Sequence, residues 1–346
     1  MSHWRGAGAS PIGAAVLARA VAGVVLLLSL AVHPRAARAS ACCGAGHGMA
    51  QWLAPSERAA ASFSVRLTEQ LGAWAVDGGF DTSGEGVYHR ELKAEAGWLV
   101  RAGDHLQLAV SVPMMVTWSG VGLGATSSGG GPGDLGAAAR IDLIDGAASP
   151  WIPSAAFTLG VTLPTGRGPS TGTALPDAGV SGATGARAMG VDITGADTTG
   201  LGVAEIRPGM VFEKSWGSFH ALLAASTSVR TSHRLPDGDA VRSAPRVQIL
   251  AAAGPSWPSG ASLTVGALHE REGAPREDEP GPGPRNPMGK ERARTALLAV
   301  LAHDIGARWT AVGNLQVDVP ISGIGRNEGA FAALSAGLRY VWGRRD

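Results

Sequence analysis

From residue 106 to residue 118 the chain alternates strictly: Leu106, Leu108, Val110, Val112, Met114, Val116 and Trp118 stand against Gln107, Ala109, Ser111, Pro113, Met115 and Thr117. The same period recurs in Phe157, Leu159, Val161 and Leu163, in Phe219 to Val229, and in Trp309 to Val319. A period of two marks β-strands with one apolar and one more polar face. About twelve such segments are predicted, an even number as bacterial barrels favour. They fall at 62–75, 87–101, 105–118, 133–144, 151–164, 199–213, 217–231, 244–256, 261–270, 291–304, 308–320 and 329–342. They are long: a membrane-crossing strand needs about 9–11 residues, whereas soluble strands average about 5–6.

The connections carry a second signal. Short ones (102–104, 145–149, 214–216, 257–260, 305–307) alternate with long ones (76–86, 119–132, 164–198, 232–243, 271–290, 321–328). Alternating turns and loops are the mark of an up-and-down membrane barrel, with its turns in the periplasm. Tryptophans follow the same division. Trp98, Trp151, Trp216, Trp257, Trp309 and Trp342 fall near the turn end, and Trp74 and Trp118 near the loop end. Indole prefers a membrane interface, because its ring is apolar and its N–H seeks water.

In lipid every backbone N–H and C=O must be paired, so only helices or closed sheets can cross. The chain after its first forty residues has no apolar run long enough for a helix, which leaves a closed sheet. A Lys or Arg on the lipid face at mid-bilayer costs about 2–4 kcal/mol. Charged and amide residues within the strands are therefore expected to face inward. The predicted lumen lining is Glu91, Lys93, Glu95, Arg207, Arg246, Asn314, Gln316 and Asp318.

Some stretches are less regular. The alternation slips at Ala204-Glu205-Ile206, which predicts a bulge, and Pro208 and Pro245 call for edge-like or bulged geometry. Segment 291–304 is apolar on both faces around Ala296 to Leu301 and reads equally as strand or helix. Asp237, Asp239, Glu270, Glu272, Glu277, Asp278 and Glu279 read as solvated residues of outer loops. The glycine-rich stretch Gly120 to Gly131 reads as flexible loop, since no helix follows it to make a dinucleotide site.

The amino-terminal region has a separate logic. Arg5 and Arg19 precede an apolar run from Ala20 to Val32, and small residues at Ala37-Arg38-Ala39 or Ala39-Ser40-Ala41 fit a cleavage site. The expected layout is a secretory signal at 1–41, a periplasmic tail at 42–61, a barrel at 62–342 and a short tail at 343–346. Cys42 and Cys43 are adjacent and cannot staple the fold. With His47 and Met49 they form a weak candidate metal contact; the alternatives are an unstructured tail or lipidation of Cys42, although Ala39 stands where a lipobox wants leucine.

Composition sharpens this picture. Charged residues make up 16 %, against roughly 25 % in ordinary soluble proteins. A formal net charge of +1 and the lack of a basic cluster exclude an electrostatic nucleic-acid partner. No G-x-S-x-G, H-E-x-x-H or phosphate-loop signature appears, so neither an enzyme nor a bound cofactor is expected.

Several short motifs resemble a known family, the outer-membrane channels named for the meta-pathway of phenol degradation. They are Gly133-Asp134-Leu135-Gly136, Leu163-Pro164-Thr165-Gly166, Thr199-Gly200-Leu201-Gly202, Val317-Asp318-Val319-Pro320-Ile321 and Ala336-Gly337-Leu338-Arg339-Tyr340. The resemblance covers roughly 60–342 in order. It implies a barrel of about twelve strands that passes small molecules, hydrophobic ones included. Barrels of this type end on an aromatic read by the assembly machinery; here Tyr340 and Trp342 fit the alternation and 343–346 follow them. The expected partners are outer-membrane lipid, a small solute and that machinery. A binding barrel with a closed lumen and a soluble periplasmic β-sandwich are the alternatives.

Overall fold

The computed structural model describes residues 52–84, 87–121, 126–146, 149, 151–167, 199–200, 202–234, 240–242, 244–274, 276–277 and 291–343. The expected signal (1–41), the Cys42, Cys43, His47 and Met49 cluster, and residues 344–346 lie outside the described residues.

Twelve long strands form the wall: β1 Ala59–Trp74, β2 Val87–Arg101, β3 Leu106–Val121, β4 Leu135–Ile144, β5 Ser154–Leu163, β6 Glu205–Trp216, β7 Phe219–Arg230, β8 Arg246–Pro255, β9 Ala261–Glu272, β10 Arg292–Ile305, β11 Trp309–Asp318 and β12 Glu328–Trp342. Each pairs antiparallel with its sequence neighbours, and β12 pairs back onto β1 from Ala59↔Trp342 to Trp74↔Glu328. The sheet closes into a barrel with no free edge. Among the described residues no helix is long and apolar enough to cross a membrane; the strands carry the apolar surface.

That surface faces outward. Met114 is 53 % exposed, Val265 54 % and Leu297 56 %, while Gln107, Thr264 and Asp318 on the opposite parity are buried. A soluble domain reverses this arrangement and rarely displays apolar patches beyond a few hundred Å². Lipid tails are the solvent for which such an exterior is stable.

The short turns alternate with long loops as expected. Between β6 and β7 only Gly217 and Ser218 intervene, and Gly217 takes a positive φ of 58°, which a tight hairpin requires. On the loop side, Thr126–Pro132 folds back and pairs with β3, so part of the glycine-rich stretch is a hairpin arm rather than loose chain. A small separate sheet joins His233–Arg234, Ala240–Arg242 and Arg276–Glu277 above the loop-side rim.

Segment 291–304, which reads equally as strand or helix, is strand β10 as counted; its inner face is apolar because it packs on other apolar inner side chains. Several expectations need correction. No register shift occurs at 204–206: the β6–β7 pairing keeps one register and merely lapses at Arg207 and Pro208, where proline lacks the N–H. The bulges lie instead between Gln70 and Gly72 and between Asp142 and Ile144. Trp74 is at the loop end but is fully buried, its Nε1 donating to Ile321 O at 3.0 Å beneath the β11–β12 loop. Glu270 and Glu272 belong to β9 and face inward; the strand outlasts its apolar pattern because arginines on neighbouring strands take over as partners.

Candidate functional site

The site is the barrel interior, and it has three zones. At the short-turn end the chain preceding β1 enters the barrel. Trp52 and Leu53 pack on inner-face Ala60, Leu99, Ala109 and Val341, with Ala138 beside them. Polar contacts fix the segment: Leu53 N donates to Gln107 Oε1 at 2.7 Å, and Arg101 donates to the carbonyls of Leu53, Ala54 and Glu57. Glu57 meets Arg339 of β12 through two oxygens, at 2.6 and 3.3 Å. Both side chains are out of water, so each offsets the other's charge. Beyond this segment Arg140 grips Asp142 at 2.7 Å and forks onto both oxygens of Glu213 at 2.8 and 3.2 Å. A cavity of about 70 Å³ lies beside Trp52, bordered by Ser111, Ala138, Gly160, Thr162 and Arg207.

In the second zone, on the side built by β7 to β10, the inner face is apolar. Leu222, Leu250, Ala252, Leu268, Ala296, Leu298 and Val300 form one buried cluster. Cross-strand pairs bring them together: Leu250 lies opposite Leu268, and Leu268 opposite Ala296. The inner face of β1 and β2 differs, with Ser64 and Arg66 on one strand and Glu91, Lys93 and Glu95 on the next. Lys93 Nζ reaches Glu95 Oε2 at 2.7 Å.

The third zone, at the loop end, is a belt of paired charges. Arg207 and Arg230 share Glu205, the latter at 2.7 Å. Arg230 continues to Glu272 at 3.2 Å, and Arg246 holds the other oxygen of Glu272 at 2.8 Å. Glu270 accepts from Gln248 at 2.8 Å and pairs with Arg294, which also faces Asp318 at 3.6 Å. Arg66 donates to Gln316 Oε1 at 3.2 Å and so brings β1 into contact with the far side of the belt. Alternating signs let a low-dielectric interior carry this many charges, since each would be costly alone.

The eight residues named from the sequence share the strand parity of the buried inner-face side chains. Arg207, Arg246 and Asp318 sit in the charged belt, Gln316 beside it, and Lys93 with Glu95 on the polar wall. Glu91 shares their face, and Asn314 is half-buried, its Oδ1 out of water without a hydrogen-bond partner. The belt's other members, among them Arg66, Glu205, Arg230, Glu270, Glu272 and Arg294, were not assigned to the lumen from the sequence. Parity would have found Arg66, Glu205 and Arg230, which stand beside outward-facing Val65 and Leu67, Ile206 and Val229.

Fold and interior together define a transmembrane β-barrel of the bacterial outer-membrane type. A scan against protein-family models finds no match, and a search of curated proteins finds none. Among solved structures, the chain resembles an outer-membrane channel from Pseudomonas putida F1, with a TM-score of 0.64 and 14 % identity over 84 % of this chain and 97 % of that one. It also aligns with the transport unit of the autotransporter AIDA-I from Escherichia coli, with a TM-score of 0.44, 8 % identity and coverage of 82 % and 90 %. The translocator domain of NalP from Neisseria meningitidis aligns with a TM-score of 0.41, 13 % identity and coverage of 82 % and 88 %. At these identities the shared property is the barrel fold.

Proposed function

We propose that this protein is an outer-membrane channel for the passive passage of small molecules, and a member of the channel group named for the meta-pathway of phenol degradation. The observation that carries the reading is the inner wall: a broad apolar patch shares a closed cylinder with a polar wall, beneath a belt of balanced charges. A solute with an apolar body and a polar edge finds complementary surface on both sides. Net charge along the path is nearly compensated, which suits neutral solutes better than ions. Delivery would use residues 1–41 as the secretory signal and the assembly machinery acting on β12. The chain's work is passage, with no chemical step. Purified protein in planar bilayers or liposomes is expected to raise conductance or the uptake of small aromatic solutes. Absence of flux for every small solute tried would remove the transport reading while leaving the barrel intact.

A second reading is a binding barrel with a closed lumen. The seating of Trp52 and Leu53 inside the short-turn end favours it. Under that reading solute flux stays at background even when residues 52–58 are displaced.

A further inference from the structure

Between β4 and β5, the described residues Gly146, Ser149 and Ile152 leave the wall and lie over its lipid-facing side. Lys214 marks the place. It follows inward-facing Glu213 on β6 and therefore points outward, yet its Nζ donates to Gly146 O at 2.8 Å, to Ile152 O at 3.0 Å and to Ser149 O. Those carbonyls belong to a turn whose strands do not include β6, so the turn must lean across β5 to reach it. Ala155 confirms the overlap. It has the outward parity of Leu159, but it is only 4 % exposed.

Hydrogen bonds tie the described residues of the turn together. Gly146 N donates to Ser154 Oγ at 3.0 Å, and Ser149 Oγ accepts from Trp151 N and Ile152 N at 3.3 Å. A Cβ on Gly146 would come within 2.4 Å of Ser154 N, so the crossing requires glycine. What this structure displays is apolar. Trp151 is 87 % exposed, more than any other large apolar side chain among the described residues, and Ile152 is 52 % exposed. Trp216, two positions from Lys214 on the same face, and Phe219, Trp309 and Trp342 stand outward at the same rim.

We propose that this turn is an interfacial anchor that inserts Trp151 and Ile152 into the phospholipid leaflet on the short-turn side. Such an anchor rests on the barrel fold and is independent of the channel reading. The turn continues the apolar belt that lipid already covers, and its aromatic ring has the character that the glycerol and headgroup region selects. Carbonyls brought against a membrane need donors. Lys214 supplies three such bonds from one ammonium, which explains a lysine on the lipid-facing side of a strand.

The test uses the full chain in phosphatidylethanolamine and phosphatidylglycerol vesicles, with Cys42→Ser and Cys43→Ser as background. A nitroxide is placed by Trp151→Cys and compared with labels from Val110→Cys on the lipid face and Asp104→Cys in another short turn. The label at 151 is expected to meet an aqueous nickel complex several-fold less often than the label at 104, while oxygen reaches it more often. Nickel collisions equal to those at 104 would put the turn in water and overturn the anchor. Exclusion of both reagents would reveal a protein cover and overturn it equally. Adding Lys214→Gln is expected to raise nickel collisions at 151 several-fold, with heat-dependent gel mobility reporting that the barrel remains. A label still shielded by lipid in that variant would refute the part assigned to Lys214.

Discussion

The most informative perturbation is Glu57→Ala, because one carboxylate joins the segment entering the barrel to its last strand. Glu57 and Arg339 are 1 % and 6 % exposed, and Arg339 Nε already lacks a partner. Removing one member of a buried ion pair costs about 3–5 kcal/mol, since the remaining charge stays dry and uncompensated. At about 1.4 kcal/mol per factor of ten, the undocked fraction of the segment rises by roughly two to three and a half powers of ten. The structure also sets what opposes release. Burial of Trp52 and Leu53 contributes about 1.5–3 kcal/mol each, and hydrogen bonds from a charged group such as Arg101 about 1.5–3 kcal/mol each. Undocking returns Arg339 to water, so the segment leaves while the wall persists. Two measurements read this: single-channel conductance in planar bilayers, and chymotrypsin cleavage after Trp52. Both are expected to increase in Glu57→Ala. Adding Arg339→Met, which removes the stranded charge and keeps its bulk, is expected to restore much of the docking. Unchanged conductance together with unchanged cleavage in the single variant would refute the pinning role of the pair.

Three further outcomes follow from the wall and its loops. Leu268→Ala, in the inner apolar cluster and 1 % exposed, is expected to destabilise the barrel by about 2–5 kcal/mol in urea titrations with lipid vesicles. Val110→Lys on the lipid face should cost about 2–4 kcal/mol by the same titration. Its inward neighbour Ser111→Lys should cost less, and equal penalties would contradict the assigned faces. Gly325→Ala would bring a Cβ within 2.1 Å of the Trp74 ring, and overpacking of that kind costs about 1–3 kcal/mol. The β11–β12 loop is then expected to lift, seen as a red shift of tryptophan emission and faster proteolysis within 319–327.

How far the chain announces this fold depends on which force shaped each position. The strands were readable because a wall between lipid and lumen imposes period two on every residue it contains. The inward direction of Glu91, Lys93 and Glu95 followed from the same alternation. The eventual partners of inward charges were not readable, since Arg294 meets Glu270 across strands whose register only the closed sheet fixes. Glu270 and Glu272 looked like loop residues because apolar alternation fades after Leu268, and charge near a strand end resembles charge in a turn. β10 was ambiguous for a different reason: its inner side joins an apolar cluster, so period two disappears from its hydropathy. Trp52 to Arg58 has no periodicity at all. Its seat depends on Gln107, Arg101 and Arg339, which are remote in the chain.

The contact between Glu57 and Arg339 spans 282 positions of the polypeptide, and this distance bears on biogenesis. Arg339 arrives with the final strand, so an unfinished sheet lacks the guanidinium that this carboxylate meets. The entering segment can complete its seat only after the cylinder has been joined end to end, since Val341 and Arg339 both belong to β12. A folding intermediate halted before that seam forms would leave Trp52 and Leu53 without the cover of Val341, a mark of incompleteness at the entrance of the barrel.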